Sequence, residues 1–242
     1  MKIALIGYGK MGREIEALAV AGGHEIVLKI QSSNATELSK ASLSKADVAI
    51  EFTRPEAAVH HLLICLEAGI PVVTGTTGWY RELETIKTKC ISTNGALLYA
   101  SNFSIGVQVF FSISRKLGEM MNKLPDYEVK IEETHHLQKL DKPSGTALTL
   151  AENLLEVIGR KKSWVDGTQQ TAETELPVHS FRKDKVVGLH RVIYHSDIDN
   201  LTITHEAMNR KGFASGAIQA ASWLKDKKGF FSMDDFMKDF FS

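Results

Sequence analysis

Through the first 104 residues, short apolar runs alternate with segments whose apolar residues recur at helical spacing. The runs KIALIG (2–7), EIVLKI (25–30), DVAIEF (47–52), IPVVTG (70–75) and ALLYA (96–100) predict strands buried on both faces, because they lack the apolar-polar alternation of a strand with one wet side. KMGREIEALAVAGG (10–23) and PEAAVHHLLICLEAG (55–69) predict helices; both stop at glycine, and Pro55 suits a first helical turn. Strand and helix in regular succession imply an α/β fold with a doubly wound, Rossmann-like parallel sheet.

Beyond residue 104 the pattern changes. A helix through IGVQVFFSISRKLGEMM (105–121) is followed by the strand YEVKIEE (127–133). The next helix, GTALTLAENLLEVIG (145–159), aligns Ala147, Leu150, Ala151, Leu154 and Ile158 as one apolar stripe. VHSFR (178–182), KVVGLHRVIYH (185–195) and NLTITHEA (200–207) then read as strands joined by short polar turns. This predicts a second, smaller α+β domain built on a mixed open sheet. FASGAIQAASWL (213–224) and MDDFMKDFF (233–241) read as helices that return to the first domain. The expected division is therefore 1–104 with 213–242 for one domain and 105–212 for the other.

Composition narrows the function classes. A chain of 242 residues, 43% of them hydrophobic, can bury the cores of two such domains. Its 29 basic and 29 acidic side chains cancel, with no long cationic run, so neither nucleic acid nor a membrane surface is the expected partner. Cys65 and Cys90, the only cysteines, have no metal-ligand spacing and cannot make a disulfide framework, which suits a reducing compartment. The chain opens on a strand without a signal-like stretch, and no run reaches membrane-spanning length, so a cytoplasmic protein is expected.

GYGKMG (7–12) fits G-x-G-x-x-G between a strand and a helix. Gly7 allows the tight turn, Gly9 lets backbone approach a pyrophosphate, Gly12 lets helix and strand pack closely, and the helix start favours the phosphates. A methyltransferase with a glycine-rich first turn is the rival reading. At the end of the second strand, Gln31 stands where NAD-binding folds place an acid, followed by Ser32 and Ser33. A neutral Gln31 does not repel a 2′-phosphate, which leans toward NADPH, although no arginine stands there to decide against NADH. Thr53 and Arg54 in EFTRP, and Gly75, Thr76 and Thr77 in TGTTGW, lie at strand ends where such sheets bind ligands. Ordinary turn and capping chemistry accounts for any of them singly.

The other concentration of chemistry is HHLQKLDKPSGTA (135–147). His135, His136 and Lys139 lie in or beside a loop ending at Pro143, and Ser144 can cap the following helix. The first amides of that helix, including those of Gly145 and Thr146, form an anion site deepened by Lys139 and Lys142. A carboxylate fits there, and histidine with lysine can supply general acid chemistry. A solvated charged loop is the plain alternative. His60 and His61 form a similar pair inside a helix, without lysines or a helix start, and read as structural. His179, His190, His195 and His205 lie in predicted strands without metal-like grouping and read as packing or surface residues, so no metal is expected.

The stretch Glu133 to Ala147, E-x-H-H-x-x-K-x-D-x-P-S-G-T-A, resembles the signature of the 4-hydroxy-tetrahydrodipicolinate reductase (dihydrodipicolinate reductase) family of lysine and diaminopimelate synthesis. GYGKMGR, EFTRP, GTTG, SNFSIGV and FASGAIQAASWL resemble family segments in the same order, so the likeness spans essentially the whole chain. It implies a reductase using NADH or NADPH, a small dicarboxylate substrate, and a homotetramer whose second domain binds substrate and makes the assembly contacts. His135 would be a proton donor or acceptor and Lys139 the proton donor; His136, Ser144, Gly145 and Thr146 would hold the substrate. Gly7, Tyr8, Gly9, Lys10, Met11 and Gly12, Gly75 to Thr77, and the run Ala100, Ser101, Asn102 and Phe103 would line the dinucleotide. Two residues depart from the family pattern: Lys142 replaces a usual alanine and adds positive charge, and Leu189 replaces a common glutamate and is expected to alter local sheet pairing. Another NAD(P)-dependent amino-acid dehydrogenase and a non-catalytic dinucleotide sensor remain as alternatives.

Overall fold

The apolar runs of the N-terminal part pair side by side, as their two-sided hydrophobicity requires. In the computed structural model, which describes residues 1–169 and 171–241, the chain runs β1 (Lys2–Ile6), α1 (Lys10–Ala21), β2 (Glu25–Ile30), α2 (Lys40–Leu43), β3 (Val48–Glu51), α3 (Pro55–Glu67), β4 (Val72–Thr74), α4 (Leu83–Ser92) and β5 (Ala96–Tyr99). It continues through α5 (Ile105–Met121), β6 (Glu128–His135), α6 (Gly145–Val157), β7 (Ser163–Asp166), β8 (Glu175–Arg182), β9 (Gly188–His195) and β10 (Asn200–Ala207). It ends with α7 (Lys211–Leu224), β11 (Gly229–Ser232) and α8 (Met233–Phe240). Met1–Ile105 with Lys211–Ser242 form one unit and Gly106–Arg210 the other.

The first unit holds a six-stranded sheet in the order β11-β5-β4-β3-β1-β2, parallel throughout. β1 and β3 are buried on both faces from Ile3 to Ile6 and from Val48 to Glu51, which is why they read as continuous apolar runs. β2 does not follow that expectation. It is an edge strand, and of its six residues only Ile30 is buried. β11 and α4 were not predicted; β11 joins the sheet beside β5, with Gly229 opposite Ala96, and its four residues are too short a run to stand out. Because successive connections leave β1 in opposite directions, to β2 on one side and β3 on the other, the carboxyl ends of β1 and β3 bound the crevice where doubly wound sheets bind ligands.

The second unit holds a mixed sheet in the order β10-β9-β6-β8-β7. β6 pairs antiparallel with β9 and parallel with β8. The short β7, also unpredicted, pairs with β8 at one edge. Alternation along β6 buries Val129 and Ile131 in a cluster with Val178, Val192 and Tyr194, covered by Ala147, Leu150, Ala151 and Leu154 of α6 and by Ile158. Burying a leucine-sized side chain stabilises by roughly 1.5–3 kcal/mol, so this stripe fixes where α6 begins. The same alternation carries Glu133 and His135 onto the buried face. Leu189 pairs with Thr134 on one side and Glu206 on the other without a register break, so the expected change in pairing does not occur.

Candidate active site

At the end of β1 the backbone of Gly7 has φ +99°, and a Cβ there would stand 2.0 Å from the Phe52 carbonyl oxygen. A Cβ on Gly12 would stand 2.2 Å from the Gly7 carbonyl oxygen. A Cβ on Gly9, by contrast, would meet nothing within 4 Å. Two of the glycines are thus demanded by the fold, while Gly9 borders open space suited to a phosphate-bearing ligand. A cleft of about 450 Å³ opens there, lined by Gly9, Lys10 and Met11 together with Phe52, Thr53, Pro55, Gly75, Thr76 and Thr77.

The loops after β3 and β4 are tied together from below by Glu51, which is fully buried. Its carboxylate accepts from the Thr53 backbone N–H at 3.0 Å, from Thr74 Oγ1 at 2.5 Å and from Thr76 Oγ1 at 2.9 Å, and from the Thr53 hydroxyl. His61, buried on α3, reaches Thr53 Oγ1 at 3.3 Å, whereas His60 is exposed. The remaining expected cofactor residues do not line this cleft. Tyr8 donates its hydroxyl to Glu16, Gln31 and Ser32 are exposed past β2, and Arg54 precedes α3 at the surface. In the run after β5, Ser101 is exposed and Ala100 buried, Asn102 Oδ1 accepts from the Ser104 N–H, and the Phe103 ring is buried edge-on against Phe52.

The second unit gathers its titratable groups where β6 ends and α6 begins. His135 is the last residue of β6 rather than part of the loop, and its ring is buried. Nδ1 hydrogen-bonds to Glu133 Oε2, and the other glutamate oxygen accepts from Arg182 Nη1 at 2.9 Å. Burial alone would raise the Glu133 pKa, but the hydrogen bonds from His135 and Arg182 outweigh it and bring the carboxyl down to about 2. Edge-on to His135, with ring centres 5.1 Å apart, lies His190. Burial, reinforced by the neighbouring His135, holds His190 down to about 3, so its imidazole is neutral at physiological pH. Its Nε2 lies 3.2 Å from Ser144 Oγ, which also accepts from the Ala147 N–H and thereby caps α6.

Around this cluster, His136 Nδ1 is buried without a hydrogen-bond partner among the described residues. Gly145 is exposed, with nothing within 4 Å of a Cβ built on it, and Thr146 follows it in the first turn. Lys139 Nζ pairs with Asp141 at 2.8 Å, and Lys142 is exposed. The structure therefore brings His135, Ser144, Glu133 and His190 into contact and sets His136, Lys139 and the start of α6 on the adjoining segment. His190, expected as a packing or surface residue, is buried and packs against His135 while bonding to the Ser144 cap. Glu133, His135 and His190 offer ligand atoms within 4.8 Å of one another, yet a cation there would have to displace the hydrogen bonds of Glu133 with His135 and Arg182.

Comparison with known proteins gives this geometry a family. Residues 1–103 match the model described as "Dihydrodipicolinate reductase, N-terminus" and residues 106–237 the one described as "Dihydrodipicolinate reductase, C-terminus". The chain belongs to the dihydrodipicolinate reductase family. A relative named 4-hydroxy-tetrahydrodipicolinate reductase from Christiangramia forsetii is 46% identical, covering 100% of this chain and 99% of its own. Another of that name from Archaeoglobus fulgidus is 34% identical over 98% of this chain and 100% of its own. Among solved structures, dipicolinate-bound dihydrodipicolinate reductase from Paenisporosarcina sp. TG-14 shares the fold with a TM-score of 0.77 at 24% identity, covering 97% of this chain and 99% of that one. As a member of this reductase family the chain is an oxidoreductase that uses NAD(P)H, which sets aside the methyltransferase and sensor readings.

His190 and Glu133, each buried beside His135, also set how this family member responds to acid. The unfolded chain protonates His190 near its ordinary value of 6.5 and the folded chain only near 3, so its contribution is complete above pH 6.5 and is lost as pH falls toward 3. Glu133 moves from 4.5 to about 2, adding a second loss below pH 4.5. Calorimetric melting of His190→Gln should therefore show a flatter decline than the parent between pH 6.5 and 4.5. Parallel declines in the two proteins would remove His190 from the acid response.

Proposed function

We propose that this protein reduces 4-hydroxy-tetrahydrodipicolinate to tetrahydrodipicolinate with loss of water, in lysine and diaminopimelate biosynthesis. The observation that carries the reading is the buried Glu133–His135 pair at the end of β6, followed directly by His136, Lys139 and the open start of α6. The first unit holds the dinucleotide against Gly9 to Met11, Thr53 and Gly75 to Thr77, with Ala100 to Phe103 completing its site. Bound NAD(P)H supplies a hydride to the ring. Loss of hydroxide as water creates the conjugated acceptor, and the carbon next to the one receiving hydride takes a proton. Lys139 and His135 are the groups that carry that proton, His135 through Nε2 because Nδ1 is engaged by Glu133. The two substrate carboxylates bind at the amides of Gly145 and Thr146, beside the Ser144 cap, and to His136, whose buried Nδ1 has no hydrogen-bond partner among the described residues.

NADPH is the preferred cofactor in this reading. No carboxylate occupies position 31, and the cations of Arg13 and Lys29 lie 5.7 and 5.1 Å from the centre of the Tyr8 ring, partly balanced by Glu16. Arg13 comes from α1, so the end of β2 carries no sign of it in the sequence. The second unit is the assembly domain of a homotetramer: the sheet face opposite α6 carries Lys130, Ile193 and Thr202 in an open cleft of about 820 Å³. Both cysteines are buried free thiols, and no helix among the described residues is long and apolar enough to cross a membrane, which fits residence in the cytoplasm. A coupled assay that generates the unstable ring substrate in place, and follows reduced-nicotinamide absorbance with each cofactor separately, tests the reaction. Turnover of an oxo acid with ammonia, and none with the cyclic substrate, would assign the chain to amino-acid dehydrogenation instead.

A further inference from the structure

We propose that Glu133 and Arg182 are positioning residues for both proton-handling groups, Glu133 fixing the protonation pattern of the His135 ring and Arg182 holding Glu133 together with the loop that carries Lys139. The proposal deepens the reductase reading and rests on it. Arg182 ends β8 directly beside His135, its register partner on β6. Its guanidinium donates through Nη1 to Glu133 at 2.9 Å, through Nε to the Lys139 carbonyl at 3.2 Å and through Nη2 to the Asp141 carbonyl at 2.6 Å. One rigid fork therefore joins the buried carboxylate to the backbone of the loop on either side of Leu140. A lysine, with a single nitrogen on a flexible stem, cannot reproduce that geometry.

Glu133 can only accept, so His135 must present Nδ1–H to it, and Nε2 is left to gain or release a proton. A negative carboxylate also favours the imidazolium that forms when Nε2 is protonated. The other charged or titratable groups nearby are Arg182, which shares Glu133 with the ring, the neutral His190, edge-on to it, and Lys139, whose charge acts on His190. Space on the remaining side is kept by Gly188, where a Cβ would come within 3.2 Å of Nε2.

Glu133→Gln reverses this arrangement. Arg182 would hold the amide oxygen, turning the NH2 toward Nδ1, which then has to accept; the proton moves to Nε2 and the imidazolium loses its counter-charge. The expected result is a fall in kcat of about 100-fold with NAD(P)H affinity unchanged. Arg182→Lys, which keeps the charge, should still lower kcat about tenfold. Arg191→Gln on the same sheet, where Arg191 is only 3.9 Å from Glu132 across an open surface, is the control and should retain parental turnover. Nitrogen-15 spectra of histidine-labelled parent enzyme supply a readout independent of variant folding: they should show His135 protonated at Nδ1. A Glu133→Gln enzyme with kcat within about threefold of the parent, or a parent spectrum with Nδ1 unprotonated, would overturn the proposal. If the parent fails to reduce the cyclic substrate with either cofactor, the reductase reading falls, and the spectrum still decides the role of Glu133.

Discussion

Lys139→Ala should lower kcat by about 1000-fold while NAD(P)H affinity stays within about threefold of the parent. The size follows from what the side chain supplies: an ammonium group that can deliver a proton and offset charge as hydride arrives. In the structure Nζ rests on Asp141 at 2.8 Å, and burial, which would raise the Asp141 pKa, is outweighed by the Lys139 hydrogen bond, which lowers it. Asp141 is 58% exposed, and exposed pairs of this kind are worth little. The pair therefore holds Lys139 only loosely, and the ammonium can leave Asp141 for substrate at small cost. Alanine removes the group but not the backbone carbonyl of residue 139, which Arg182 still binds, so the loop keeps its anchor. Single-turnover kinetics should place the loss in the chemical step. Unchanged turnover would take lysine out of the mechanism and leave His135 as the sole proton-handling side chain.

The parts of this site that lie close together in sequence were legible from it, and those brought by strand pairing were not. His135, His136, Lys139 and the Ser144 cap lie in one stretch, where a proton donor beside a helix start is visible without any tertiary structure. Glu133 carried a readable signal: two residues before His135 on a strand, it shares the buried face that Val129 and Ile131 begin. A buried acid beside a buried histidine implies a hydrogen-bonded pair, since neither is tolerated alone in a core. Arg182 and His190 gave no comparable sign, because they arrive through the pairing of β6 with β8 and β9, and nothing local in RKDKVVGLH separates them from surface charge. In the first unit the strand-helix rhythm revealed the parallel sheet, but β2 was misjudged because an apolar run has the same appearance at an edge as in the interior. The tie made by Glu51 escaped notice for a related reason: a glutamate ending an apolar run looks like a loop boundary, until the threonines of a neighbouring strand surround it.

The glycines of the first turn separate folding from binding, and two substitutions should fail in different ways. Gly12→Ala drives a Cβ to 2.2 Å from the Gly7 carbonyl oxygen, a backbone atom that itself is held where the Gly7 N–H bonds to the Ile30 carbonyl at 2.9 Å. Relief requires α1 to move away from β1, and the expected cost is about 3 kcal/mol or more, read as a lower melting temperature before any ligand is added. Gly9→Ala meets nothing within 4 Å, so the free protein should melt within about 1 kcal/mol of the parent, the ordinary range for an uncrowded site. Its methyl group instead enters the space beside Lys10, Met11 and Thr76 where the pyrophosphate is proposed to sit. NADPH affinity should drop by about 100-fold or more, because the methyl separates the phosphates from the amides of α1 and their alignment cannot be regained by a shift elsewhere. Calorimetric titration of a well-folded Gly9→Ala protein is decisive: parental affinity would mean that the dinucleotide does not approach the backbone at Gly9, and the cleft after β1 would lose its assignment as the cofactor site.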